Sequence, residues 1–265
     1  MIPLHAERVG QGPALVLLHG WAMHGGIFER LSALLSQQFT VVTVDLPGHG
    51  GSLVSAMPLV LDTLADALVQ TLDAVLGANE RVLLVGWSLG GLAALATAAT
   101  YPGRVRGLCM IAASPRFVSA PDWLEGMDPR VFEAFGEELG RDYRGTLDRF
   151  LMLEAQGSAH LREELRYLRD AVYARGEPTP RALAEGLGLL HDSDLRPLLP
   201  GLRMPSLWLA GRRDRLVSPK AMREACALAP NSQFQQIESG GHAPFLTETA
   251  RVAEALTAFS ADCSL

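Results

Sequence analysis

The sequence predicts an α/β fold: a mostly parallel sheet flanked by helices and interrupted once by a helical insertion. Short apolar runs recur at residues 14–18, 39–44, 82–85 and 108–111, broken only by Thr40 and Thr43. Runs that are apolar throughout, rather than alternating, belong to strands covered on both faces, as in a parallel sheet. Between the second and third runs, Leu61, Leu64, Leu68, Leu72, Val75 and Leu76 share one helical stripe, so the βαβ alternation of such a sheet is visible directly. After Ser114 and Pro115 the character changes. Residues 116–199 carry many charges, several Pro and Gly breaks and helical patterns, and strand patterns return only at 206–211 and 234–237, before an amphipathic helix from about 247 to 259. The expected organisation is a core of residues 1–115 and 200–265 with a helical lid inserted at 116–199.

At 265 residues and 48% hydrophobic content, the chain can bury the core of one large domain. The net charge of −6 argues against a nucleic acid or an anionic membrane as partner, since either requires a broad basic surface. The apolar runs are far shorter than a membrane span. The opening residues, Met1 to Arg8, lack the basic-then-apolar order of a secretory signal, so a soluble, cytoplasmic protein is expected, taken to be a monomer. Cys109, Cys226 and Cys263 are odd in number and far apart. They read as reduced packing thiols without the spacing of a zinc site, and neither metal nor other cofactor is expected. Lys220 is the only lysine, so nearly all positive charge is arginine.

The run at 82–85 leads into Gly86-Trp87-Ser88-Leu89-Gly90 and then an Ala-rich helical stretch. A serine at a sharp strand-to-helix turn is a nucleophile elbow: the glycines permit the tight turn, and strain lifts the hydroxyl above the sheet. A serine hydroxyl needs a base, and the base needs a third group to orient it, in the chain order serine, acid, histidine for this kind of sheet. Asp214 follows the run at 206–211, and His242 follows the run at 234–237 after Gly240 and Gly241. Asp214, flanked by arginines, would by itself read as a surface carboxylate; its place in the order makes it the acid. All three then lie at carboxyl ends of strands, where open α/β sheets hold their sites. Leu18-His19-Gly20-Trp21 ends the first strong strand, so the amides of Trp21 and Leu89 are the expected oxyanion donors. Trp21 also reads as a core aromatic, and His19 as structural.

His19-Gly20-Trp21, Asp45-Leu46-Pro47-Gly48-His49-Gly50-Gly51-Ser52, the serine elbow, Asp214 and Gly241-His242 together resemble the α/β-hydrolase superfamily over nearly the whole chain. Serine rather than aspartate at the elbow points to acyl transfer. With Gly86-Trp87-Ser88-Leu89-Gly90-Gly91 and Phe150-Leu151-Met152-Leu153-Glu154, the chain is similar within that superfamily to the pimeloyl-[acyl-carrier protein] methyl ester carboxylesterases of biotin synthesis, the BioH family. The resemblance implies that Trp21, Ser88, Leu89, His242 and Phe150, Leu151, Met152, Leu153 and Glu154 line the acyl chain and ester. It also implies that lid arginines receive the acyl-carrier protein. Glu154 stands where the family usually has glutamine, and one family arginine is missing near Gly145.

Arg162, Arg166 and Arg169 recur at helical spacing beside the apolar stripe of Leu161, Leu165, Leu168 and Val172, with Arg149 nearby if the lid is a helical hairpin. From the residues alone, a solvated face balanced by Glu163 and Asp170 and a docking face are equally open. The resemblance favours docking through Arg149, Arg162 and Arg166. The expected activity is that of a serine carboxylesterase. A general short-chain esterase, thioesterase or C–C hydrolase is the alternative within the fold, and a non-turnover ligand receptor the alternative from another class.

Overall fold

Every residue of β2 (Ala14–Leu18), β3 (Thr40–Val44) and β4 (Val82–Trp87) is buried, as strands covered on both faces must be. In the computed structural model, which describes residues 3–263, these join β1 (Ala6–Val9), β5 (Val105–Ile111), β6 (Ser206–Gly211) and β7 (Ser232–Ile237). The order is β1-β3-β2-β4-β5-β6-β7, with only β1 antiparallel to its neighbour. β1 has no counterpart among the apolar runs. It is a four-residue edge strand, exposed for most of its length, and it gains its order from pairing with β3.

The chain leaves β2 through α1 (Glu29–Leu35) toward one edge, then leaves β3 through α2 (Leu61–Leu76) toward the other. Right-handed crossovers in opposite directions place these helices on opposite faces of the sheet. α3 (Leu89–Thr100) packs beside α2, and the final helix α9 (Thr249–Asp262) beside α1. α8 (Pro219–Leu228) covers β6 and β7. Because the connections run forward across parallel strands, the loops after β2, β4, β6 and β7 all open at one end of the sheet.

Between β5 and β6 the chain forms four helices, α4 (Pro129–Leu139), α5 (Tyr143–Ala155), α6 (Leu161–Ala174) and α7 (Pro180–Asp192). Their starts follow from local chemistry: Asp128, Asp142 and Thr179 cap α4, α5 and α7 by accepting backbone amides, and proline occupies the first turn of α4 and α7. This helical layer is anchored to the loops of the sheet. Trp21 Nε1 donates to Leu183 O at 2.9 Å, the imidazole of His24 to Ala171 O at 2.8 Å, and the Leu59 amide to Glu185 Oε2 at 2.8 Å. Arg181 caps the carbonyls of Ser55, Ala56 and Met57. Among the described residues, no helix is long and apolar enough to cross a membrane.

Candidate active site

Ser88 sits between β4 and α3 with φ +53° and ψ −121°, a conformation that costs a non-glycine residue energy and persists only where the surroundings enforce it. Its neighbours show how. A Cβ on Gly86 would lie 2.3 Å from the carbonyl oxygen of Gly90, and a Cβ on Gly90 would lie 2.3 Å from that of Leu18. Only glycine permits both approaches, and they press the start of α3 against the ends of β2 and β4.

The histidine and the aspartate meet this serine. His242 Nε2 lies 2.9 Å from Ser88 Oγ, and His242 Nδ1 lies 2.9 Å from Asp214 Oδ2. Asp214 Oδ1 accepts the amides of Leu216 at 2.8 Å and Val217 at 2.9 Å, so one carboxylate oxygen is fixed by its own loop while the other faces the imidazole. The Ser88 and His242 residues are fully buried. Burial by itself would make His242 harder to protonate, but the charge and hydrogen bond of Asp214, with added charge from Glu154 and Glu164, outweigh it and raise its pKa above the ordinary value.

Leu89 opens α3, where a first-turn amide has no helical acceptor. The Gly20–Trp21 turn lies against the serine, since a Cβ on Gly20 would come within 3.2 Å of Ser88 Cβ. The helical layer covers this corner directly. Phe150 packs against Trp21 at a tilt, with ring centroids 4.4 Å apart, and a Cβ on Gly186 of α7 would fall 2.7 Å from the Trp21 ring and 3.2 Å from the Leu89 side chain. Phe150 and Leu151, and Glu154 one turn further on, are fully buried on the inner face of α5. Leu153 is only partly covered, and Met152 is 44% exposed. Helical geometry brings 150, 151 and 154 to the site and turns 152 to solvent.

Other histidines near this end hold the loops. His19 donates to Gly20 O and accepts from the Leu46 amide, and burial pushes its pKa down to about 3. His49 lies beside it, donates to Pro47 O, and is lowered to about 3 for the same reason. Asp45 accepts the amides of Gly25 at 2.6 Å and Gly51 at 2.7 Å, closing two loops around itself. Among the described residues, no group of three or more His, Cys, Asp or Glu is arranged to hold a metal ion.

Two carboxyl groups break the apolar character of the roof. Glu154 of α5 and Glu164 of α6 are buried, and none of their four oxygens has a hydrogen-bond partner among the described residues. Burial raises Glu154 to about 8 and Glu164 to about 7. The nearby imidazole of His242 opposes both rises; for Glu164 so do the Ser158 hydroxyl and the Ala243 backbone, which lie close without forming a hydrogen bond. Sequence reasoning passed over Glu164, which reads as one more charge beside Glu163. The available signal was its position one turn before Leu168 and two before Val172, on the apolar stripe of α6.

The arginines separate into two groups. Arg149 contacts Glu138 at 2.7 Å and Asp142 at 3.5 Å, and Arg169 contacts Asp148 at 3.0 Å. Arg162 and Arg166 are exposed and, among the described residues, form no ion pair.

Residues 13–249 match the family model described as the alpha/beta hydrolase fold. The chain is 54% identical over 261 residues, 98% of each chain, to a pimeloyl-[acyl-carrier protein] methyl ester esterase of Stenotrophomonas maltophilia. It is 53% identical over 258 residues to one of Xanthomonas campestris pv. campestris, covering 97% of this chain and 99% of that one. Among solved structures it is similar to a thermophilic esterase from Thermogutta terrifontis, with TM-score 0.83 and 26% identity over 98% of this chain and 93% of that one.

Proposed function

The chain belongs to the α/β-hydrolase family, within the group of pimeloyl-[acyl-carrier protein] methyl ester esterases, and we propose that Ser88, His242 and Asp214 carry its ester hydrolysis. The observation that supports these roles most directly is the pair of 2.9 Å contacts running from Ser88 Oγ through the imidazole to Asp214.

In this reading, Ser88 Oγ attacks the carbonyl of the methyl ester as His242 Nε2 takes its proton. Asp214 holds the opposite ring nitrogen protonated and stabilises the imidazolium that forms. The Trp21 and Leu89 amides receive the negative charge on the carbonyl oxygen. His242 then returns the proton to the departing methoxide, releasing methanol. Water, activated by the same imidazole, hydrolyses the acyl-enzyme and leaves a free carboxyl on the pimeloyl chain. No cofactor enters any of these steps.

The substrate reading rests on the relatives, whose names specify a pimeloyl methyl ester on acyl-carrier protein, and on the roof. Trp21, Leu89, Phe150 and Leu151 offer apolar walls for an acyl chain, with Leu153 and Glu154 continuing along α5. Ser88 has no exposed surface, so substrate enters when the helices of residues 116–199, acting as a lid, move aside. Arg162 and Arg166 present positive charge on that lid without an ion pair among the described residues, suited to an acidic carrier protein. The deciding measurement is hydrolysis of pimeloyl-carrier methyl ester by the protein and by Ser88→Ala. Loss of turnover in the variant is expected, and a rate near that of the unmodified protein would remove the serine mechanism.

A further inference from the structure

The roof of the site contains two acidic side chains for which the serine relay has no use. Glu154 comes from α5 and Glu164 from α6, they are 0% and 1% exposed, and none of their four oxygens has a hydrogen-bond partner among the described residues. A carboxylate in such surroundings is costly, and the charge of Glu164 makes ionising Glu154 costlier still. A roof needing only apolar cover would carry leucine at these positions, as it does at Leu147, Leu151, Leu165 and Leu168.

Their placement is held against the relay. The turn between α5 and α6 is clamped onto both loops that carry it. Gly157, at φ +91°, lies so close to the β6 loop that a Cβ there would fall 2.1 Å from Arg213 O, next to Asp214. A Cβ on Gly241, next to His242, would fall 3.1 Å from Ser158 Cβ. Glu154 precedes this clamp by three residues and Glu164 follows it closely, so the two helices deliver their carboxyls to the imidazole from the side of the lid. The titratable groups acting on His242 are Asp214, Glu154 and Glu164; those acting on Glu154 are His242, Glu164 and Asp214; those acting on Glu164 are His242 and Asp214, with the Ser158 hydroxyl and the Ala243 backbone.

We propose that Glu154 and Glu164 form a buried carboxyl pair that carries one proton between them beside the relay, the remaining negative charge favouring the protonated form of His242. This rests on the reading of Ser88 as nucleophile and His242 as its base. Among the described residues neither carboxyl is hydrogen-bonded to Ser88 or His242, so the two are positioning residues. Their charge supports the imidazolium that forms when Ser88 attacks, and raises the pH at which His242 becomes a free base. The pair also ties this support to the lid, because both carboxyls arrive with α5 and α6 and leave if those helices swing away.

The test is the pH profile of kcat/KM on a small aryl ester for Glu154→Gln, Glu164→Gln and the double variant, with Ser88→Ala measured in parallel. Glutamine keeps the shape and removes the charge. The acid limb is expected to move to lower pH by about one pH unit in the double variant, which removes the charge, and far less in either single variant, where the remaining carboxyl ionises and keeps it. A limb that stays in place in the double variant, while activity still depends on Ser88, overturns the pair and leaves the serine mechanism standing. Activity that survives Ser88→Ala overturns the mechanism itself. Should the glutamine variants fail to fold, infrared spectra of the unmodified protein decide. A protonated-carboxyl stretch persisting into neutral pH and titrating there supports the pair, and its absence refutes it.

Discussion

Trp87 Nε1 donates a hydrogen bond of 2.9 Å to the backbone carbonyl of His242, so the residue before Ser88 holds the backbone that carries the imidazole. The same indole lies 5.7 Å from the imidazole ring and meets Phe245 edge-on at 5.1 Å. Elbow and histidine loop are therefore one packed unit rather than two loops that happen to meet. Replacing Trp87 by phenylalanine keeps an aromatic body and removes the donor, leaving the His242 carbonyl buried and unpaired at a cost of about 1–3 kcal/mol. With the base free to drift, kcat should fall about 10- to 100-fold, since small misplacements of reacting groups are expensive. Steady-state kinetics together with a thermal melt check this; an unchanged kcat in a folded variant would show that the indole bond does not set the position of His242.

Asp214 makes a second separable contribution. Its Oδ1 is committed to the Leu216 and Val217 amides and its Oδ2 to His242. Asp214→Asn puts an N–H donor where one of these acceptors must be, disfavouring the tautomer that leaves Nε2 free to take the serine proton. The expected loss is about 10⁴-fold in kcat with KM little changed. A comparable rise in KM would instead indicate that the loop had moved.

Most of the core and the relay could be read from residue order, and the reasons are physical. Strands buried on both faces must be apolar throughout, which made β2, β3, β4 and β6 visible. A strained serine needs glycines on both sides, which singled out Ser88. β1 left no such trace because a short edge strand borrows its order from its neighbour. Met152 and Glu164 show the same limit at the roof: which residues of α5 and α6 face inward depends on how the helices rotate against the core. That rotation is set by contacts distant in sequence, such as Phe150 on Trp21 and Ser158 on Gly241. Trp87 could be seen as part of the elbow, but its bond to His242 spans 155 positions and has no local signature.

The raised pKa of His242 sets the acid limit of activity. The base must be neutral to accept the Ser88 proton, and a raised pKa keeps it protonated to higher pH. kcat/KM should therefore fall with decreasing pH at a midpoint above the usual histidine value of about 6.5. A pH–rate profile on a small ester measures this directly, and a midpoint below that value would contradict the charge environment described around the imidazole.

Stability carries a different acid signature. His19 and His49 are buried with pKa values held near 3, against about 6.5 in an unfolded chain. A group whose folded pKa is depressed contributes stability that is present above its unfolded value and is lost as pH falls toward the folded one. Melting temperature should thus decline as pH drops from about 6.5 toward 3, and His49→Gln should flatten that decline. Melts across that range test the point, and parallel curves for the two proteins would remove His49 as a contributor.

The lid arginines give a prediction in which geometry separates residues that the sequence groups together. Arg162 and Arg166 are exposed and, among the described residues, make no ion pair, whereas Arg149 bridges Glu138 and Asp142. Reversing Arg162 and Arg166 to glutamate should lower kcat/KM for the carrier-linked ester at least tenfold more than for a small ester, because only the carrier presents an acidic surface to that face. The loss should shrink as ionic strength rises and screens the contact. Arg149→Glu places a like charge against Glu138 and Asp142 and should lower the melting temperature as well, separating structural from docking charge. Equal losses on both esters for Arg162→Glu and Arg166→Glu would show that this face serves the fold rather than a partner.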